Sequence, residues 1–396
     1  MGDPASALSA TTNNEVSKEL DLRMRRLYRR CARAPPEIHL PAVALVTIVK
    51  DEARSIARLL DSVRGLVDEM IVVDTGSTDD TVAIARAAGA KVSHFDWVGD
   101  FAAARNCALA QTQMPWRLVL DADEWLDRET SDLRAVCTEP ATFVGRIARS
   151  DRFDSDVAGR RETLISRVWI SRLLPIGVTY AGAIHEQVVH DLPTRMVPLH
   201  AFHDGYEDRQ LARKGDRNLE ILAQLADAGR SDAYLDYQYA KELERKGDLA
   251  AAAERYAKSL SGIGTSDTPW REGLICASLV TFGRVRAFDA AFELIERETP
   301  AYANSADFWF CVGSFLMDAA QANPQIGAQF LVPIENAFLR CLELGERDDG
   351  GEGVIGRGSF LAAQNLRALY VATGRDAKAA EYAALATITP GSHKNS

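Results

Sequence analysis

Along the first third of the chain, short apolar runs alternate with amphipathic stretches. Residues 43–49 form a β-branched run, followed by further runs at 70–73, 91–95 and 117–120, and such runs read as strands buried on both faces. Between them lie segments of helical spacing: 54–65 with Leu59, Leu60, Val63 and Leu66, then 80–88 closed by Gly89, then 101–110. Strand and helix alternating at this interval predict βαβ units and a mostly parallel sheet.

After Leu126 the rhythm changes. Residues 143–148 and 163–174 predict two strands separated by a polar loop at 150–161. Two short extended pieces, 180–189 and 196–202, carry a cluster of histidines and are expected to lie across the mouth of the sheet. From about Leu211 the chain reads as helical and repetitive. Tyr239, Leu243, Gly247, Ala252, Tyr256 and Leu260 sit at the offsets of a tetratricopeptide helix pair, and Leu366, Tyr370, Gly374, Ala379, Ala383 and Ala386 form a second copy. Trp309, Gly313, Leu316, Phe338 and Leu342 suggest a third, stretched by an insertion at 321–329, and residues 274–295 a poorer fourth. No single pair buries its own apolar stripe, so the pairs must stack into a solenoid. Three regions follow: a mobile tail with a basic helix at 1–38, an α/β domain at 39–208 and an all-α helical repeat domain at 209–396.

Composition narrows the function. At 396 residues with 47% apolar and 26% charged content, the chain is globular and too long for one ordinary core. A net charge of −10 argues against nucleic acid as the main partner. No apolar run is long enough for a transmembrane segment. The six cysteines are scattered without a Cys-x-x-Cys pair, and the first residues lack a hydrophobic signal region, so a cytoplasmic protein with reduced thiols is expected. The six arginines between Arg23 and Arg33 form the basic helix, read as packed on the main body or touching an anionic surface; the loose myristoylation pattern at Gly2 has no other support.

The fourth strand runs directly into Asp121-Ala122-Asp123-Glu124. Ionised carboxylates do not stay unpaired in a sheet core, so the chain must surface here, where open α/β sheets bind ligands. Asp-x-Asp offers two oxygen ligands for a hard divalent cation carrying phosphates; alone, it also reads as a loop of solvated acids. The stretch Asp74-Thr75-Gly76-Ser77-Thr78-Asp79 follows the second strand, either as a backbone cradle for a ligand or as an N-capped turn. Asp100-Phe101 and Arg105-Asn106 share a helical face.

Together with Lys50-Asp51-Glu52, these motifs resemble family 2 glycosyltransferases of the GT-A fold over residues 41–206. More narrowly, the chain resembles the bacterial subgroup with a tetratricopeptide tail, which includes the SunS-type peptide glycosyltransferases. The resemblance implies that Lys50 and Glu52 flank the nucleotide and that Asp74 contacts its base or ribose. Thr75 stands where many members carry a second Asp, which puts the detail of base recognition in question. Asp100 belongs to the donor site, and Arg105 and Asn106 hold the diphosphate. Asp121 and Ala122 meet the ribose or metal, and Asp123 is the main ligand of Mn2+ or Mg2+, with His203 as a further ligand. In Ala183-Ile184-His185-Glu186-Gln187, Glu186 is favoured as general base over His185. The expected activity is inverting transfer from a nucleotide sugar, a UDP-sugar, to a peptide or protein acceptor presented by the repeats, which can also mediate homo-oligomers. A lipid-linked or polysaccharide acceptor is the alternative enzyme, and a degenerate scaffold the non-enzymatic one. The G-x-G-x-x-G match at 351–356 has no strand before it and is set aside as a dinucleotide motif, and Trp97 and Trp125 are left in the core.

Overall fold

In a computed structural model, residues 42–157, 160–206, 216–266, 268–347 and 352–387 are described. The basic helix, the myristoylation pattern and the expected boundary at 208–209 lie outside these residues. Strands β1 (Val43–Val49), β2 (Glu69–Asp74), β3 (Lys91–His94) and β4 (Trp116–Val119) alternate with helices α1 (Ile56–Val63), α2 (Thr81–Ala87) and α3 (Phe101–Leu109). All four strands pair in parallel in the order β3-β2-β1-β4. β1 therefore has β2 on one side and β4 on the other. Such a reversal of strand order opens a crevice at the carboxyl ends of the strands, where ligands bind.

Both faces of this sheet are covered, which is why its strands read as unbroken apolar runs. Leu45, Val72 and Leu118 pack with Leu59 and Leu60 of α1 on one face, and Val46, Val73 and Val119 pack with Ala108 and Leu109 of α3 on the other.

Beyond β4 the sheet is mixed. β5 (Glu124–Leu126) and the short helix α4 (Leu133–Val136) lead to β6 (Val144–Val157), β7 (Arg160–Pro175) and β10 (Thr194–Tyr206). β7 is antiparallel to β4 and β6, β10 runs parallel to β6, and β5 is antiparallel to β10. β8 (Thr179–Ala181) and β9 (Gln187–Val189) form a separate two-stranded ribbon. Of the expected loop at 150–161, the described residues 150–157 and 160–161 are instead strand, in a ladder paired from Gly145↔Leu173 out to Val157↔Arg160. Its sequence looks like a loop because buried positions such as Ser150 and Asp151 are polar, and a period-two pattern cannot show burial when the buried residues carry charge.

From Ala42 onward the chain forms one compact unit. Its C-terminal region is all-helical: α5 (Arg217–Asp227), α6 (Ala233–Arg245), α7 (Leu249–Ile263), α8 (Arg271–Arg284), α9 (Phe288–Tyr302), α10 (Ala306–Ala322), α11 (Leu331–Leu344), α12 (Phe360–Ala372) and α13 (Asp376–Glu381). In the two clearest repeat copies, Gly247 and Gly374 take φ values of 82° and 68° between paired helices, with Ala252 and Ala379 buried after the turn. The stretch set aside as a nucleotide motif contributes β11 (Gly353–Val354), which pairs with β7 at Arg167 and Ser166. Leu164 of β7 packs there on Phe360 and Leu361, joining sheet and helices.

Candidate active site

The turn after β2 is closed by its own carboxylate. Asp74 accepts the amides of Gly76 at 3.2 Å and Ser77 at 3.1 Å, and Gly76 takes φ 107°, a conformation that side chains other than glycine's rarely tolerate. Burial alone would raise the Asp74 pKa, but the bonds from Ser77, Gly76 and His94 outweigh it and hold the carboxyl below its ordinary value. The loop after β1 is stitched to this turn. The Asp51 amide donates to Ser77 Oγ at 2.9 Å, the Thr78 amide donates to Asp51 Oδ1 at 2.7 Å, and the Glu52 amide donates to Thr81 Oγ1 at 2.7 Å. Thr75 turns its hydroxyl back onto the Val49 carbonyl at 3.1 Å. These hydroxyls hold backbone, and the Lys50 side chain is exposed at this end.

The end of β4 is built differently. Asp121 lies between two guanidiniums, with Arg105 Nη2 at 2.6 Å from Oδ1 and Arg172 Nη2 at 2.7 Å from Oδ2. Arg172 also reaches Glu124 at 2.9 Å, and Glu124 meets Arg149 at 2.7 Å. Arg149 binds Asp151 through Nε at 2.5 Å and Nη2 at 2.9 Å. His203 then bridges Asp151 at 3.1 Å and Asp123 at 3.4 Å. At the opposite end, Arg105 Nε donates to Glu186. The result is one chain of alternating charge: Glu186, Arg105, Asp121, Arg172, Glu124, Arg149, Asp151, His203, Asp123. Burial opposes ionisation of Asp121, but Arg105 and Arg172 outweigh it and hold its carboxyl far below the usual range. Burial likewise opposes the charged His203, while Asp123 and Asp151 push its pKa up to about 9.

Of the three expected metal ligands, Asp123 and His203 therefore stand side by side, and Asp121 is engaged by arginines. Among the described residues no group of three or more His, Cys, Asp or Glu forms a cage for a metal ion. Once a cation displaces the His203 proton, one carboxylate and one imidazole at a sheet end fit a divalent cation that arrives with phosphate oxygens, because such cations are commonly held by one or two protein groups plus substrate phosphates.

α3 positions the loop that carries the expected base. Asp100 caps the helix by accepting the Ala103 amide at 2.9 Å, and the Phe101 amide donates to the Ala183 carbonyl at 2.8 Å. Asn106 binds the Tyr180 backbone in both directions, each at 2.8 Å, so its side chain clamps β8. Within the loop, Gly182 takes φ 101° and His185 φ 50°. Glu186 is 11% exposed and receives Arg105 on Oε1, while Oε2 accepts no hydrogen bond from a described residue. His185 Nε2 is enclosed with no hydrogen-bond partner among the described residues. Burial, helped by Lys241, pulls the His185 pKa down to about 4, so the ring is neutral near pH 7.

Sequence reasoning missed Arg149, Asp151 and Arg172. The usable signal was the alternation of charge in Arg149-Ser150-Asp151-Arg152, which as a strand places Arg149 and Asp151 on one face. Trp125, left in the core, carries the Arg58 guanidinium 3.5 Å from its ring centroid. Arg54 and Arg58 both bind Asp204, at 3.0 and 2.9 Å, and tie the His203 strand to α1.

Residues 44–171 match the family described as Glycosyl transferase family 2. The match runs from β1 into β7, and Arg172, His185, Glu186 and His203 lie beyond it. It is similar to a TPR repeat-containing protein of Synechococcus elongatus, 36% identical over 233 residues, covering 54% of this chain and 55% of that one. It is also similar to the SPbeta prophage-derived glycosyltransferase SunS of Bacillus subtilis, 26% identical over 193 residues, covering 47% and 45%. The chain spans about half the length of these curated relatives. Glucosyl-3-phosphoglycerate synthase from Mycobacterium tuberculosis, solved with Mn2+ and uridine-diphosphate-glucose, is 30% identical over 22% of this chain and 34% of its own, with a TM-score of 0.20. A likeness that partial bears on neither fold nor ligand. Among the described residues no helix is long and apolar enough to cross a membrane.

Proposed function

We propose that this chain is an inverting glycosyltransferase that moves a sugar from a nucleotide sugar, with UDP-sugars the first donors to test, to a polypeptide acceptor. The observation that carries the reading is the convergence of two pairs, Asp123 with His203 and Arg105 with Glu186, at the end of β4 beside the switch point, joined through one chain of charges. Asp123 and His203 would hold a divalent cation, which when bound supplies neutralisation of the diphosphate leaving group. The C1–oxygen bond to the diphosphate breaks as the acceptor heteroatom bonds C1 from the opposite face, and the acceptor proton passes to Glu186. Arg105 fixes that carboxylate through Oε1 and leaves Oε2 for the proton. His185 is assigned a structural role, because its enclosed nitrogen cannot meet an acceptor. Asp100, Asn106 and Asp74 build the loops that present these groups. A polypeptide acceptor is supported by the neighbouring Gln187, which donates to Tyr234 Oη of α6 at 3.1 Å and sets the base loop against the first repeat helices.

The test is thermal-shift binding of nucleoside diphosphates and UDP-sugars with and without Mn2+, followed by turnover. A shift that needs both metal and Asp123 is expected, since a ligand of the folded state raises Tm by mass action. Glu186→Gln should lower kcat by about 10²–10⁴-fold, with His185→Gln nearly unchanged. No shift with any nucleotide in the presence of metal would sink the reading.

A further inference from the structure

Two cations of the helical region, Arg217 and Lys241, form no ion pair with a described residue. Arg217 opens α5 and lays its guanidinium over the ring of Phe101, 4.8 Å from the centroid. Phe101 is the first residue of α3, directly after Asp100, so Arg217 reaches the loops of the sheet from the helical side. Its Nε is enclosed with no hydrogen-bond partner, and among the described residues it forms no ion pair. Burial disfavours its charge, and the carboxylates that act on it are Glu52, from the loop after β1, and Glu242 of α6.

Lys241, one residue earlier on α6, forms no ion pair with a described residue either; its ammonium stands 5.3 Å from the Tyr237 ring centroid. Its side chain is exposed, yet desolvation acts on its charge against Asp151, Glu242 and Glu244, with Arg149 adding to the desolvation. Lys241 acts electrostatically on His185, and Asp151 and Arg149 act on Lys241. The contrast with the sheet is plain: Arg105, Arg149 and Arg172 each hold two carboxylates. Arg217, partly enclosed and with no ion pair among the described residues, is costly to keep charged, and an anion entering the mouth relieves that cost.

Neither the base nor the sugar of an ordinary nucleotide sugar supplies such an anion; the diphosphate does. We propose that Arg217 and Lys241 bind the donor diphosphate, so that the helical region completes the donor site instead of only presenting an acceptor. This rests on the nucleotide-sugar reading above.

The experiment is isothermal titration of the full chain with UDP, GDP, ADP, CDP and dTDP in the presence of Mn2+, each beside its parent nucleoside. Arg217→Gln and Lys241→Gln should each weaken the diphosphate that the wild type binds by about tenfold, as charged hydrogen bonds do, with nucleoside affinity unchanged. Arg217→Lys should recover part of the loss, which also controls for folding. Variants that bind the diphosphate as tightly as wild type overturn the inference and leave the donor reading standing. Equal losses for diphosphate and nucleoside also overturn it, because the helices then shape the pocket without binding phosphate. A wild type that binds no diphosphate removes the donor reading and this inference together.

Discussion

Two groups of carboxylates sit at the ends of strands on either side of β1, and they are neutralised by opposite means. Asp74 is satisfied by amides two and three residues away, so its turn is complete once the local backbone folds. Asp121 and Glu124 are satisfied by guanidiniums 16 to 51 residues away, which arrive only when α3, β6 and β7 are in place. The first arrangement makes a rigid floor. The second concentrates charge in a low-dielectric place, where small shifts of position alter electrostatic energy most, and it is the one that ends at Asp123 and Glu186. A carboxylate in a motif is therefore not one kind of part: Asp74 holds its own loop, Asp121 is a counter-ion to two arginines and Asp123 stands beside His203.

The comparison breaks most readily at Arg172. Arg172→Leu leaves Asp121 and Glu124 with one cation each, so it should cost about 3 kcal/mol, the lower end for a broken buried pair, read as a lower urea midpoint. The His185 loop sharpens the contrast through pH. The ring titrates near 4 in the folded chain and near 6.5 when unfolded. The unfolded state thus binds more protons between these values. Stability owed to the neutral ring is intact above about pH 6.5 and falls as pH drops toward 4, by up to about 3 kcal/mol. Denaturation of wild type and His185→Gln across pH 4–7 should show the steeper acid loss in wild type; equal slopes would place the ring in water. The smallest effect belongs to the self-contained turn. Asp74→Ala should cost about 1 kcal/mol, as loss of a cap does, and a loss as large as that of Arg172→Leu would erase the distinction between the two strand ends.

Much of the sheet was legible because its signals are local. The runs at 43–49 and 70–73 are strands in the structure, and α1 and α3 fall within the expected helical segments. Residues 150–157 were not legible as strand; Asp151 among them is buried to serve Arg149 and His203 rather than an apolar core. Gly353–Val354 was set aside as a nucleotide motif, and its use as an added strand on β7 depends on a partner nearly two hundred residues away in sequence. At the candidate site, the motifs indicated which residues gather at the mouth. They did not show that Asn106 clamps the Tyr180 backbone or that Asp100 caps α3, since both roles depend on what the side chain meets.

The sequence by itself determined the alternating strands and helices, the turn at Asp74 and the paired helices around Gly247 and Gly374, because each is decided by residues within one or two turns of chain. The tertiary structure alone decided which carboxylates are paired with arginines, and that Arg217 lies over Phe101 with no ion pair among the described residues. Electrostatic energy depends on distance in space, and the register of β6 with β7 and the seat of α5 and α6 set those distances between groups that the chain keeps far apart.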